Sequence, residues 1–206
     1  MSIVTIFLFV FFISAFFSIF FFSIRFGITP SPSGRKVKKT LFFILSSKIF
    51  SKLSKERENF THKKSLDQKK IFELGSGWGG LAFLLGKRFS HHRVYAYEIS
   101  PVPYLFSFFL KNFMRKTNVK IFRKDFFCVS LKEASIVMCY LYPKAMKRLK
   151  EKFEKELRNG ALVISHTFAI PGWISKKIYV ANDIYKTKIY LYKFKKEKNV
   201  ERNRYT

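Results

Sequence analysis

A short apolar run starting at Lys70 ends in Glu73-Leu74-Gly75-Ser76-Gly77-Trp78-Gly79-Gly80 and feeds a second apolar stretch. A strand that ends in closely spaced glycines and opens a helix lets the backbone turn tightly. It also lets a ligand approach with no Cβ in the way. Two further acids follow at the ends of later apolar runs. Glu98 stands about 20 residues beyond the glycines, where a carboxylate can accept hydrogen bonds from both hydroxyls of a ribose. Asp125 closes the next run and Phe126 follows it; an acid can accept from an adenine amino group while an aromatic covers the ring face. Glu73, Gly75, Ser76, Gly77, Gly79, Glu98, Asp125 and Phe126 therefore form one candidate nucleoside site.

Gly75, Gly77 and Gly80 also satisfy the dinucleotide fingerprint G-x-G-x-x-G. Glu73 argues against a pyrophosphate, which it would repel. It suits a ligand carrying an ammonium and a sulfonium. At 206 residues the chain also has no room for a second nucleotide-binding half together with a substrate domain.

These residues need a frame. Short apolar runs fall at Lys70–Leu74, Arg93–Tyr97, Val119–Phe122, Ser135–Leu141 and Ala161–His166. Helix-like stretches, Gly79–Phe89, Pro103–Lys116 and Lys144–Arg158, lie among them, the last closed by Asn159-Gly160. Strands alternating with helices predict a parallel sheet covered on both faces, with ligands in the crevice outside its carboxyl ends. After the turn Pro171-Gly172, the segments Lys177–Val180 and Lys186–Phe194 alternate apolar and polar and predict a hairpin joined near Asp183. Ahead of the sheet, Lys36–Phe50 carries Val37, Leu41, Ile44, Leu45 and Ile49 near helical spacing. Ser51–Lys70 is polar and charged, as in a loop or a frayed helix.

The amino-terminal stretch is different in kind. Ile3 to Ile24 carries no charge and is mostly Phe and Ile. A helix of that length reaches across about 30 Å of hydrocarbon. No basic residue precedes it and no small-residue cleavage site follows, which disfavours a signal peptide. Arg25, Arg35, Lys36, Lys38 and Lys39 come after it, so the positive-inside tendency predicts a single-pass membrane protein with the bulk of the chain in the cytoplasm. The same basic flank is expected near anionic headgroups. Gly27–Gly34 reads as a linker. The net charge of +27, from 40 Lys and Arg against 13 Asp and Glu, favours anionic surroundings, either phospholipid or nucleic acid. Cys128 and Cys139 form no Cys-x-x-Cys pair, and His91-His92 is not spaced from them as metal ligands are, so neither a metal nor a disulfide framework is expected.

From Lys69 to Phe194 the pattern resembles the class I S-adenosylmethionine-dependent methyltransferases. That resemblance implies a Rossmann-like α/β fold: a seven-stranded, mostly parallel sheet with a C-terminal antiparallel hairpin, here preceded by one transmembrane helix. It implies S-adenosyl-L-methionine as cofactor, with the methionine part at Glu73, Gly75 and Gly77, the ribose at Glu98 and the adenine at Asp125. It also places substrate-facing groups at the fourth strand's end, which reads Tyr140-Leu141-Tyr142-Pro143. Tyr140, Tyr142 and Pro143 are the candidate acceptor-site residues. Trp173 is a candidate either to close that pocket or to pack at its rim on the preceding helix, and His166 is a histidine available at a strand end.

The order of an apolar span, Pro30-Ser31-Pro32, the glycine loop, Tyr140–Pro143 and Phe168-Ala169-Ile170-Pro171-Gly172-Trp173 is also similar to small membrane-anchored protein-lysine methyltransferases related to the ATP synthase c-subunit methyltransferase. Those carry Asp where this chain has Trp78. The expected organisation is an anchor over 1–26, a linker and leading helix over 27–70, a methyltransferase domain over 71–196 and a basic tail over 197–206. The expected partners are a protein substrate and a membrane. Two alternatives are a nucleic-acid methyltransferase, for which the charge speaks, and a non-catalytic basic membrane-bound interaction protein with a degenerate cofactor fold.

Overall fold

The computed structural model describes residues 2–26, 33–47, 69–115 and 117–196. Most of the linker, the polar stretch over 51–68 and the basic tail lie outside the described residues. Helix α1 is Ile3–Phe26 and α2 is Arg35–Ser46. Strand β1 (Lys70–Leu74) leads to α3 (Gly80–Arg88), β2 (Arg93–Glu98) to α4 (Pro101–Phe113) and β3 (Val119–Arg123) to a 3₁₀ turn at Phe126–Cys128. Strand β4 (Ala134–Cys139) is followed by α5 (Pro143–Glu156), β5 (Leu162–His166), β6 (Lys177–Val180) and β7 (Lys188–Lys193).

All seven strands join one sheet in the order β3-β2-β1-β4-β5-β7-β6. The first five are parallel; β7 runs antiparallel to β5 and β6 antiparallel to β7. The expected fold class, including the terminal hairpin, is therefore what the chain adopts. The order reverses direction between β1 and β4, and that switch point opens the crevice at the strands' carboxyl ends.

Alternate side chains of the central strands enter two cores. Ile71, Val94, Ala96, Ile136, Met138 and Ile164 pack under α2 and α3. Phe72, Leu74, Tyr97, Val137, Cys139 and Val163 face the other way, onto α5. Strand β4 is buried at every position because both faces are covered. The edge strands β3 and β6 are exposed at alternate or nearly all positions instead.

Helix α2 buries Val37, Leu41, Ile44 and Leu45, the spacing that predicts a helix there. Helix α5 buries Ala145, Met146, Leu149 and Phe153 and turns its Lys and Glu side chains outward. Its helical hydrogen bonding stops at Glu156, and the chain reverses through Gly160, whose φ is 80°. Helix α4 starts at Pro101 rather than at the expected Pro103, since a proline at the first helical position lacks only an N–H that would go unsatisfied anyway.

Candidate active site

The glycine loop is held by backbone hydrogen bonds to β2. The N–H groups of Gly75 and Ser76 both donate to the Tyr97 carbonyl, at 3.0 and 2.9 Å. The Gly77 N–H donates to Glu98 Oε2 at 2.7 Å, and the Ser100 N–H donates to Glu98 Oε1 at 2.8 Å. One carboxylate thus ties the loop after β1 to the turn after β2. Gly77 has φ 52°, and a Cβ built on it would meet nothing within 4 Å, so the backbone there faces open space. Gly79 has φ 77°, and its Cβ would stand 2.9 Å from the Ser107 Cβ on α4. No larger residue fits, because α3 begins where it crosses α4.

Glu73 is the penultimate residue of β1, beneath this loop. It is 3 % exposed, and its Oε2 has no hydrogen-bond partner among the described residues; neither has the buried Ser76 hydroxyl. Burial pushes the Glu73 carboxyl well above the usual carboxylate range, and the neighbouring charge of Glu98 adds to the shift. Lys38 and a backbone bond from Ala82 oppose it. Glu98 is also raised by burial, against the backbone bonds that favour its charge. Two buried acids side by side, one with an unsatisfied oxygen, are a costly arrangement that a cationic ligand would relieve.

The cost of burying Glu73 gives a testable sign. Below the ordinary carboxylate range the side chain is neutral in the folded and unfolded chain alike. As pH rises through that range the unfolded chain ionises first, so stability is lost until the raised folded value is passed. Glu73→Gln is therefore expected to melt at a higher temperature than the parent near about pH 7.5 and at the same temperature near about pH 4. Equal melting at both pH values would mean that the carboxylate is already compensated in the folded chain.

Asp125 accepts from the Phe127 N–H at 2.8 Å and caps the 3₁₀ turn, which places Phe126 in the core beside Phe127, ring centroids 4.6 Å apart. All three acids and the loop thus stand at the carboxyl ends of β1, β2 and β3.

Next along the sheet, Tyr140 follows β4. Its ring stacks on His166 at the end of β5, with centroids 3.8 Å apart. His166 is itself held on both sides: Nε2 lies 3.3 Å from the Ser33 hydroxyl and Nδ1 lies 3.0 Å from the Thr167 hydroxyl. Burial lowers its pKa to about 4, with Asp183 opposing, so the ring is neutral and acts as a prop rather than a proton donor. Tyr140, His166, Ser33, Thr167 and Asp183 line a cavity of about 440 Å³ between the leading segment and the hairpin. Tyr142 does not line it; it caps α5 and packs against the core under that helix. Pro143 is exposed and begins α5. Trp173 packs on Phe194, Tyr192 and Phe153 and donates to Glu154 at 3.2 Å, which is the rim position on the preceding helix rather than a lid.

The sequence did not single out Lys38. It stood among the basic flank expected at headgroups, yet its Nζ comes within 2.6 Å of the point where a Gly80 Cβ would be, at the first turn of α3. Its neighbour Val37 is buried, which fixes the register of α2 and turns Lys38 inward. The helical spacing that marks Val37 and Leu41 carried that signal.

With this geometry in hand, similarity to known proteins can be read. The family model of the ANTKMT methyltransferase domain matches residues 73–177. A protein-lysine N-methyltransferase of Saccharolobus islandicus is 30% identical over 115 residues, 55% of this chain and 71% of that protein. Among solved structures, an RNA methyltransferase of Salinibacter ruber in complex with S-adenosyl-L-homocysteine superposes with a TM-score of 0.63 at 19% identity, covering 83% of this chain and 98% of that one. A precorrin-6y C5,15-methyltransferase of Geobacter metallireducens gives a TM-score of 0.53 at 10% identity, over 78% and 87% of the two chains.

Proposed function

The chain belongs to the family of the ANTKMT methyltransferase domain, and on that premise we propose that it is a membrane-anchored methyltransferase acting on a lysine of a protein substrate. It is an S-adenosylmethionine-dependent enzyme. The observation that carries the cofactor's place is the buried Glu73 carboxylate, its Oε2 without a hydrogen-bond partner among the described residues, under a glycine loop that Glu98 clamps. The donor set fits this cofactor by its chemistry. Glu73 is an acceptor for an ammonium. Lys38 and the first turn of α3, the positive end of a helix dipole, stand beside it and suit a carboxylate. A free amino-acid end carries both groups. Glu98 keeps lone pairs for ribose hydroxyls, and Asp125 with Phe126 suits an adenine. When bound, S-adenosylmethionine supplies an electrophilic methyl carbon.

The chain's own task is then to present a neutral amine in line. A free lysine has a pKa of about 10.4, and a poorly solvated cavity lowers it by disfavouring the charged form. Tyr140, stacked on a neutral imidazole, offers a hydroxyl that can accept from the amine and aim its lone pair. Positioning of this kind supplies several kcal/mol of a barrier. The lysine acceptor is supported by the named activity of the Saccharolobus relative. The anchor is supported by α1, whose Ile3–Ile24 stretch has a mean hydropathy of 2.7 and is unburied. With the basic residues that follow it, this reading puts the catalytic domain in the cytoplasm.

Titration calorimetry on the full chain in detergent tests the reading and the part of Lys38 together. S-adenosylhomocysteine carries the amino-acid end; 5′-methylthioadenosine lacks it. Saturable binding of both is expected. Lys38→Met is expected to weaken the first about tenfold and leave the second unchanged, the loss of one charge-assisted contact. Equal loss of both ligands would make Lys38 a structural residue. Failure of the folded parent to bind either would overturn the cofactor site.

A further inference from the structure

We propose that the outward face of α4, together with Trp78, rests in the interfacial layer of the bilayer that α1 crosses, so that the glycine loop lies at the membrane surface. This rests on α1 being a membrane span. On α4, Pro103 and Ser107 point into the protein, while Leu105, Phe106, Phe109 and Phe113 are 48, 50, 66 and 87 % exposed. Leu105, Phe109 and Phe113 recur every four positions along one side of the helix, with Phe106 and Met114 beside that row. So much aromatic surface on one helix is unfavourable in water and marks a contact face. Helix α5, on the opposite side of the sheet, exposes Lys144, Lys147, Glu151, Glu154 and Lys155 instead.

The position of α1 says what covers this face. Helix α1 packs against α4. Its partly covered residues, Ala15, Ser18, Ile19, Phe22 and Ser23, form one stripe in its second half. A helix lying alongside the later turns of a membrane span shares their depth. Its outer side therefore meets acyl chains and headgroups rather than bulk water.

The chemistry of the edges agrees. Lys111 lies over the Phe108 ring at 5.2 Å, and Arg115 follows the helix. Both are long cations that can keep their charge at headgroup level while their stems lie along apolar surface. Trp78 stacks edge-on against Phe106 with centroids 5.3 Å apart. An indole beside such a face is the residue membrane interfaces favour. Trp78 thus forms the outer wall of the loop, facing α4.

The chain has two tryptophans, both in loops: Trp78 packs against α4 and Trp173 against α5, so each reports on its own side. The experiment is to reconstitute the full chain in phosphatidylcholine vesicles with and without bromine-labelled acyl chains and to read tryptophan emission. In Trp173→Phe the remaining Trp78 is expected to lose most of its emission in brominated vesicles. In Trp78→Phe the remaining Trp173 is expected to keep it. Should Trp173→Phe misfold, the unaltered chain serves, and it is expected to lose only the Trp78 share. A chain that floats with vesicles while Trp78 stays bright leaves the anchor standing and overturns the proposal; cross-linked dimers in that case would show a second copy on the face. A chain that does not float overturns the anchor and the proposal with it.

Discussion

Glu98→Ala is expected to weaken S-adenosylhomocysteine binding about a hundredfold, read by calorimetry on the folded variant. One carboxylate performs two tasks here. It accepts from the N–H groups of Gly77 and Ser100, at 2.7 and 2.8 Å, and so sets the distance between the loop after β1 and the turn after β2. It is also the acid placed to receive the ribose hydroxyls. Alanine removes the acceptor for the ligand and leaves two N–H donors in a largely buried place without partners. Each such donor costs about 1–3 kcal/mol, so the melting temperature should fall as well. Glu98→Gln is the informative companion. Its amide oxygen can accept from one N–H, but its NH₂ must face the other, donor against donor. It should therefore fall between the parent and Glu98→Ala. Unchanged affinity in Glu98→Ala would show that the ribose is held elsewhere.

Tyr140→Ala is expected to slow methyl transfer about a hundredfold while leaving S-adenosylhomocysteine affinity close to the parent's, since misplacement of a reacting group by about 1 Å has that effect. The ring fills the space over His166, and His166 in turn holds Ser33 of the leading segment. Removing the ring takes away one wall of the cavity and leaves His166 without its stacking partner. Tyr140→Phe keeps the stack and deletes only the hydroxyl, so its smaller loss measures the orientation of the amine. The rate is measured as transfer of a labelled methyl group to lysines of a membrane-protein fraction in one turnover. A full rate in Tyr140→Ala would move the acceptor site away from the end of β4. Parallel loss of rate and of cofactor affinity would mean that Tyr140 supports the fold of the crevice rather than the acceptor.

The two predictions divide the site along the sheet. In the proposed site Glu73, Glu98 and Asp125, at the carboxyl ends of β1, β2 and β3, form the cofactor side. Tyr140 and His166, after β4 and at the end of β5, form the proposed acceptor side. Leading helix α2 serves both, with Ser33 just before it at His166 and Lys38 in its first turns at Gly80. The segment that follows the apolar helix α1 thus reaches both halves of the proposed site.

By itself the sequence determined the strands, the glycine loop and the three acids, because those signals are local. An apolar run bounded by glycines has few other uses, and the backbone at Gly77 and Gly79 requires positive φ whatever packs nearby. The hairpin was legible for the same reason, from alternation on either side of Asp183. Where local signals overlap, boundaries moved: β4 stops at Cys139, because Tyr140 leaves the sheet to stack on His166 and Leu141 drops into the core. Only the tertiary structure decided which side chains meet. Ser33 and His166 are 133 residues apart, Lys38 reaches Gly80 across two elements, and Tyr142, two residues from Tyr140, faces a different part of the molecule. Spacing along the chain says nothing of such encounters. They follow from how the sheet orders its strands and from which face each helix buries, and both are set by long-range packing.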